Sequence, residues 1–276
     1  MAEPQTPHRA QPRARTLVVT SGADGIGKTQ VAANLAVALA ERGARVTLVD
    51  GDLAQGQLDL VLGVTPRWDL GQVLAGERTL DEVAIAGPQG VKLIAAPAHA
   101  PELAEIDDVR RERLVRAIAA LDATDFVIVD TVAGAGRTTL DLCRLAHDLL
   151  VVATPETMSA PEAYGLVRTL HAEGALARSP RLVVNLAGSD DEAEDTVARL
   201  QMFARHFLRL EFERLGVVPS DPSVPMATRQ QEPVVVSAPQ SPAAAAFREL
   251  AARLWKPVPA GPDVDALPSS PVRLRA

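Results

Sequence analysis

The residues with the clearest chemistry stand near the start of the chain. Gly22-Ala23-Asp24-Gly25-Ile26-Gly27-Lys28-Thr29 satisfies the pattern G-x-x-x-x-G-K-[ST]. Its glycines let the backbone curl until successive N–H groups converge on phosphate oxygens. Lys28 is placed to reach the β- and γ-phosphates of a nucleotide, and the Thr29 hydroxyl to coordinate Mg²⁺. A glycine-rich turn could spell the same pattern, but this one has the flanks the chemistry requires. Thr16–Thr20 (TLVVT) reads as a buried strand, and residues 29–42 have helical spacing closed by Gly43. The helix start adds the positive end of its dipole. ATP or ADP with Mg²⁺ is therefore the expected cofactor. Gly22, Asp24, Gly25, Ile26, Gly27, Lys28, Thr29 and Gln30 are the expected first contacts.

Three further polar positions follow apolar runs. The second run ends in Asp50-Gly51-Asp52, two carboxylates able to hold metal-bound water and to orient an attacking water. Phe126–Val129 ends in Asp130, the arrangement in which a carboxylate polarises the Mg²⁺ shell. Gly134, in the loop after it, could offer its N–H to a γ-phosphate oxygen. Asn185 closes a third run, and an amide there could pair with both edges of adenine. Taken alone, each of the three also reads as an ordinary turn residue.

The elements that must position these residues alternate regularly. Strands are expected at 45–49, 91–95, 126–129, 149–153, 181–184 and 214–218 besides 16–20. Helical patterns lie between and after them, most clearly at 109–121, 160–173, 191–208 and 243–255. Strands apolar throughout and separated by helices predict an α/β fold, a mostly parallel twisted sheet with helices on both faces. Such sheets bind ligands at the carboxyl ends of their strands, where the motifs above fall. The expected organisation is one P-loop domain over 16–256, between a disordered arm at 1–15 and a proline-rich tail at 257–276.

Composition narrows the partners. A net charge of −7 argues against nucleic acid, which needs clustered cations. One cysteine, Cys143, excludes an internal disulfide framework and suits a reducing compartment. No run approaches the length of a membrane span, and the first residues have no secretory h-region, so a cytoplasmic location is expected. Phe247, Leu250, Ala251, Leu254 and Trp255 form an apolar stripe readable as an interfacial helix or as the last core helix. The core reading is preferred, and direct membrane anchoring is not expected.

Together these segments resemble the MinD/ParA group of P-loop ATPases, and within it the flagellar-number regulators of the FlhG (YlxH) type. The likeness covers about 16–254. It is carried by SGADGIGKTQVAANLAVALAERG (21–43), LVDGDLAQGQLDLVLG (48–63), LGQVLAGERTLDEV (70–83), VIVDTVAGAG (127–136) and VVATPETMSAPEAYGLVRTL (151–170). LGVVPSDPSVPMA (215–227) and SPAAAAFRELAARL (241–254) continue it. The resemblance implies a slow ATPase switch in which Lys28 and Thr29 bind phosphate and Mg²⁺. By the same likeness Asp52 positions the hydrolytic water, Asp50 and Asp130 support Mg²⁺ through water, and Asn185 and Pro219 flank the adenine. It further implies an ATP-dependent homodimer, an FlhF-like GTPase or flagellar components as partner, and a peripheral place at the inner face of the cell membrane.

The sequence departs from that group at several positions. Ala23 stands where the group has a lysine that reaches across the dimer. Asp24 stands where glycine is usual, and Gln57 where an asparagine follows Asp52. The first residues lack the Gln- and Leu-containing segment through which such proteins stimulate their GTPase partner. Ala23 and Asp24 also suit a nucleotide-binding protein of the same fold without catalysis. An x-Asp-Gly-x-Gly-Lys-Thr loop occurs in nucleoside monophosphate kinases as well, but no arginine-rich lid is present to match.

Overall fold

The computed structural model describes residues 14–255. The expectations for 1–13 and for the tail at 257–276 lie outside the described residues. Eight strands make one sheet: β1 (Arg15–Ser21), β2 (Val46–Asp50), β3 (Ile85–Ala86), β4 (Lys92–Ile94), β5 (Phe126–Asp130), β6 (Asp148–Ala153), β7 (Arg181–Ala187) and β8 (Glu213–Pro219). Their spatial order is β3-β4-β2-β5-β1-β6-β7-β8, parallel except for the short antiparallel β3 at one edge. All seven expected strands are present, and β3 is the addition.

Eleven α-helices connect and follow them among the described residues. They are α1 (Lys28–Glu41), α2 (Leu58–Leu62), α3 (Leu70–Ala75), α4 (Leu80–Val83), α5 (Asp108–Ala119) and α6 (Arg137–Arg144). The remainder are α7 (Ser159–Ala172), α8 (Asp190–Phe203), α9 (Ser223–Gln230), α10 (Val234–Ser237) and α11 (Pro242–Leu254). A single π-helical stretch, Ala204–Leu208, extends α8 and ends at Arg209 with φ 53°.

The central strands are buried along their whole length because helices cover both faces. Alternate side chains therefore divide between two cores. Leu17, Val19, Ile128 and Val152 face the core that holds α1 and α11. Val18, Val127, Val129 and Val151 face the one that holds α5, α7 and α8. With few aromatics, close packing rests on alanine: four alanines of α1 and three of α11 are buried. The stripe Phe247, Leu250, Ala251 and Leu254 is buried too, so α11 is a core helix, while Trp255 stacks on Phe126 at 6.0 Å. Among the described residues no helix is long and apolar enough to cross a membrane. Cys143 is buried, and burial pushes its thiol up to about 12, as befits a small core residue.

β1 begins at Arg15, a residue assigned from sequence to the N-terminal arm. Its guanidinium holds Asp148 at 2.5 Å and also donates to the Leu254 carbonyl. Asp148 in turn lies 3.2 Å from Arg181, so β1, β6 and β7 share one buried charge cluster at the end of the sheet away from the phosphate loop. That network gives Arg15 a reason to be ordered that its polar sequence context does not show.

Candidate nucleotide site

The phosphate loop leaves β1 at Ser21 and enters α1 at Lys28. Gly25 and Gly27 have φ of 75° and 87°, the left-handed region in which a side chain is strained, so the curl depends on both. At Gly22 the reason for glycine is space. A Cβ there would overlap the backbone carbonyl of Glu162, in the first turn of α7. No side chain caps the start of α1. The first N–H groups of the helix, those of Lys28, Thr29 and Gln30, have no intrahelical partner and are available to an anion.

Lys28 is buried, and its ammonium lies 3.3 Å from Asp24 Oδ1 and 3.4 Å from the Ala23 carbonyl. Gln30 faces elsewhere. Its side-chain amide donates to Thr228 Oγ1 at 3.1 Å and its oxygen accepts from Asn34 at 3.1 Å. It can therefore contribute a backbone N–H to phosphate, while its side chain ties α1 to α9.

Asp50 and Asp130 are register partners at the ends of adjacent strands β2 and β5, both nearly inaccessible. Asp50 accepts the Asp52 N–H at 3.2 Å and the Leu58 N–H at 3.1 Å, one on each oxygen. It thereby fixes the loop that carries Asp52. Burial, and next the charge of Asp130, raise its carboxyl well above the usual range. Burial also pushes Asp130 up to about 7, against a hydrogen bond from Thr29 and the charge of Lys28. Asp130 Oδ1 is buried and has no hydrogen-bond partner. A buried carboxylate with one unpaired oxygen beside Thr29 and Lys28 suits a cation in the phosphate site. These residues fit Mg²⁺ with a bound nucleotide. Asp52 is part-exposed and accepts the Gln55 N–H at 3.0 Å, while Gln57 is exposed at the start of α2.

Two expected ligand contacts have other partners. The Gly134 N–H donates to the Ser21 carbonyl at 2.8 Å, so it is engaged within the protein rather than offered to a γ-phosphate. Its φ of 83° explains the glycine. Asn185 does not present both its amide edges to a base. It is buried, and its amide donates to the Ile26 carbonyl at 2.8 Å, beneath the phosphate loop. Pro219 ends β8 beside Ala187 of β7 and is part-exposed.

Several organising residues carry no motif. Asn34, fully buried in α1, accepts the Val235 N–H at 3.2 Å and binds α10 to the P-loop helix. Asp221 accepts the Ser223 N–H at 2.8 Å and the Ala243 N–H at 3.0 Å, holding the starts of α9 and α11 together. Ser159 receives the Thr154 N–H at 2.8 Å, shaping the turn that sets α7 against Gly22. A polar residue buried in an alanine-rich helix, as Asn34 is, was the one available signal.

Comparison with known proteins agrees with this geometry. Residues 17–234 match the CobQ/CobB/MinD/ParA nucleotide-binding domain. The chain is 34% identical over 251 residues to the antiactivator FleN of Pseudomonas aeruginosa, covering 90% of this chain and 89% of that one. It is 28% identical over 204 residues to the flagellum site-determining protein YlxH of Helicobacter pylori, covering 73% and 68%. The cell-division ATPase MinD of Pyrococcus furiosus superposes with a TM-score of 0.74 at 30% identity, covering 87% of this chain and 98% of that one. MinD of Pyrococcus horikoshii, solved with Mg-ADP, superposes with a TM-score of 0.75 at 27% identity, covering 88% and 96%. The chain belongs to the CobQ/CobB/MinD/ParA family of nucleotide-binding proteins, with flagellar regulators among its relatives.

Proposed function

We propose that this chain is an ATP-dependent regulatory switch of the FlhG type, acting in the control of flagellar number or placement. The observation that carries the reading is the convergence at one point of the glycine-shaped loop, buried Lys28, Thr29 and the unpaired Asp130 oxygen. The likeness to FleN and YlxH directs it to the flagellum.

In this reading the loop N–H groups and Lys28 bind the phosphates, while Thr29 and Asp130 hold Mg²⁺. When bound, Mg²⁺ would supply positive charge that offsets the charge of the phosphates. Asp52, part-exposed on a loop fixed by Asp50, orients the attacking water, and hydrolysis is slow. The loops carrying Asp52 and Gly134 change with the terminal phosphate and signal to a partner. An ATP-dependent homodimer and an FlhF-like GTPase are the partners this predicts, at work in the cytoplasm or at the inner face of the membrane.

The test pairs binding with turnover. Purified protein should bind an ATP analogue with Mg²⁺ and release phosphate slowly, and Asp52→Ala should abolish release while retaining binding. Its cellular arm is deletion of the gene, which should change the number or position of flagella. No saturable binding at millimolar nucleotide contradicts the reading.

A second reading keeps the binding and drops the hydrolysis. It is favoured by Ala23, which supplies no charge, and by Asp24, which pairs with Lys28. It predicts that Asp52→Ala leaves an already negligible phosphate release unchanged.

A further inference from the structure

Lys28 is not a free cation. Its side chain is 8% exposed and forms a salt bridge with Asp24, whose side chain is 89% exposed. The two contacts of the ammonium, Asp24 Oδ1 and the Ala23 carbonyl, both come from within the loop, four and five residues upstream. The group that should receive phosphate is thus already held by a carboxylate on the rim of the same loop.

We propose that Asp24 is an affinity-determining residue that competes with the nucleotide's phosphates for Lys28 and discriminates against the more highly charged triphosphate. The proposal rests on the reading of this loop as the nucleotide site. An incoming phosphate must take over the Lys28 ammonium, so the Asp24 contact is lost on binding. Backbone geometry then keeps the displaced carboxylate close, because Asp24 is flanked by loop residues whose N–H groups converge on the same anion. Finally, like charges at that range repel, and the repulsion grows with the charge of the ligand, so ATP is weakened more than ADP. Because the carboxylate is largely solvated, the effect is modest, about three- to tenfold for ATP.

Side-chain exposure makes the position suitable for substitution. Asp24→Asn keeps the shape and removes the charge, whereas Asp24→Glu keeps the charge on a longer arm. Fluorescence titration of the full chain with methylanthraniloyl-ATP and methylanthraniloyl-ADP, in Mg²⁺ and at low and high salt, reads the effect directly. The expected result is that Asp24→Asn binds the ATP probe about three- to tenfold more tightly than wild type, with a smaller gain for the ADP probe. The gain should shrink at high salt, and Asp24→Glu should stay near wild type. Equal or weaker ATP binding by Asp24→Asn, with wild-type binding intact, overturns the proposal alone. Absence of binding by wild type and Asp24→Asn together overturns the nucleotide site on which it rests.

Discussion

The side-chain amide of Asn185, in β7, donates to the carbonyl of Ile26 at 2.8 Å, tying the phosphate loop to a strand two places away in the sheet. The same amide lies where a Cβ on Gly27 would stand, so the loop is clamped from below at two consecutive residues. The curvature of the loop is therefore held by tertiary contact as well as by its glycines.

Removing that clamp should be costly. Asn185→Ala leaves a buried carbonyl without its donor, a loss of about 1–3 kcal/mol in stability. Asn185→Asp sets an acceptor against an acceptor and should cost at least as much. Denaturant unfolding reads the stability, and nucleotide titration should show weaker binding by both variants. Unchanged stability in Asn185→Ala would show that the amide is a bystander.

The contact between Gly22 and α7 gives a paired prediction. Gly22→Ala drives a Cβ into the Glu162 backbone and should destabilise by about 1–3 kcal/mol, with loss of nucleotide binding. Gly165, inside α7, has open space at its Cβ position. Gly165→Ala should be neutral or stabilising by about 0.5–1 kcal/mol, since alanine favours a helix interior. Thermal unfolding of the two variants side by side separates space from propensity.

Asp221 should reveal itself in acid. Burial works against its charge, but the N–H groups of Ala243 and Ser223 outweigh it and hold the carboxyl below its ordinary value of 3.8. The folded pKa is depressed, so its stabilising contribution is present above that value and is lost as pH falls through the folded one. Asp221→Ala should cost about 1–2 kcal/mol near pH 7, as expected for a lost helix-start partner. The gap from wild type should narrow below pH 4 in urea unfolding.

Asp130 has the opposite sign. Its folded pKa, raised to about 7, exceeds the 3.8 of an unperturbed aspartate. The folded state therefore binds more protons between those values, and the nucleotide-free protein should lose stability as pH rises from about 4 to 7. Asp130→Asn should flatten that slope, and Mg²⁺ with nucleotide should lessen it. Unfolding midpoints measured across this range, with and without ligand, provide the check.

Much of the fold was readable from the chain because each buried strand is a short apolar run and each long helix has its own spacing. β3 escaped because two residues, Ile85 and Ala86, make no pattern. At the site, Lys28 and Thr29 fall at the start of α1 by local order alone, whereas Asp130 comes beside them only because β5 pairs with β1. Asn185 and Gly134 were legible as site residues but not in their contacts. Their partners, Ile26 and Ser21, are distant in sequence, and only the strand order brings them together. Asp221 holds helices through backbone N–H groups, a contact that leaves no pattern of residue types, and Asn34 shows in the sequence only as a polar residue within an alanine-rich helix. The Asp24–Lys28 pair lies within four residues, yet sequence alone could not say that the acid would turn to the lysine.

The central claim is that the loop from Gly22 to Thr29 binds a nucleotide through Lys28. Isothermal titration of the full chain with a non-hydrolysable ATP analogue and Mg²⁺ tests it most directly. One saturable site in the wild type, weakened at least about tenfold in Lys28→Ala, is the predicted result. No heat of binding at millimolar analogue, or equal affinity in Lys28→Ala, would contradict it.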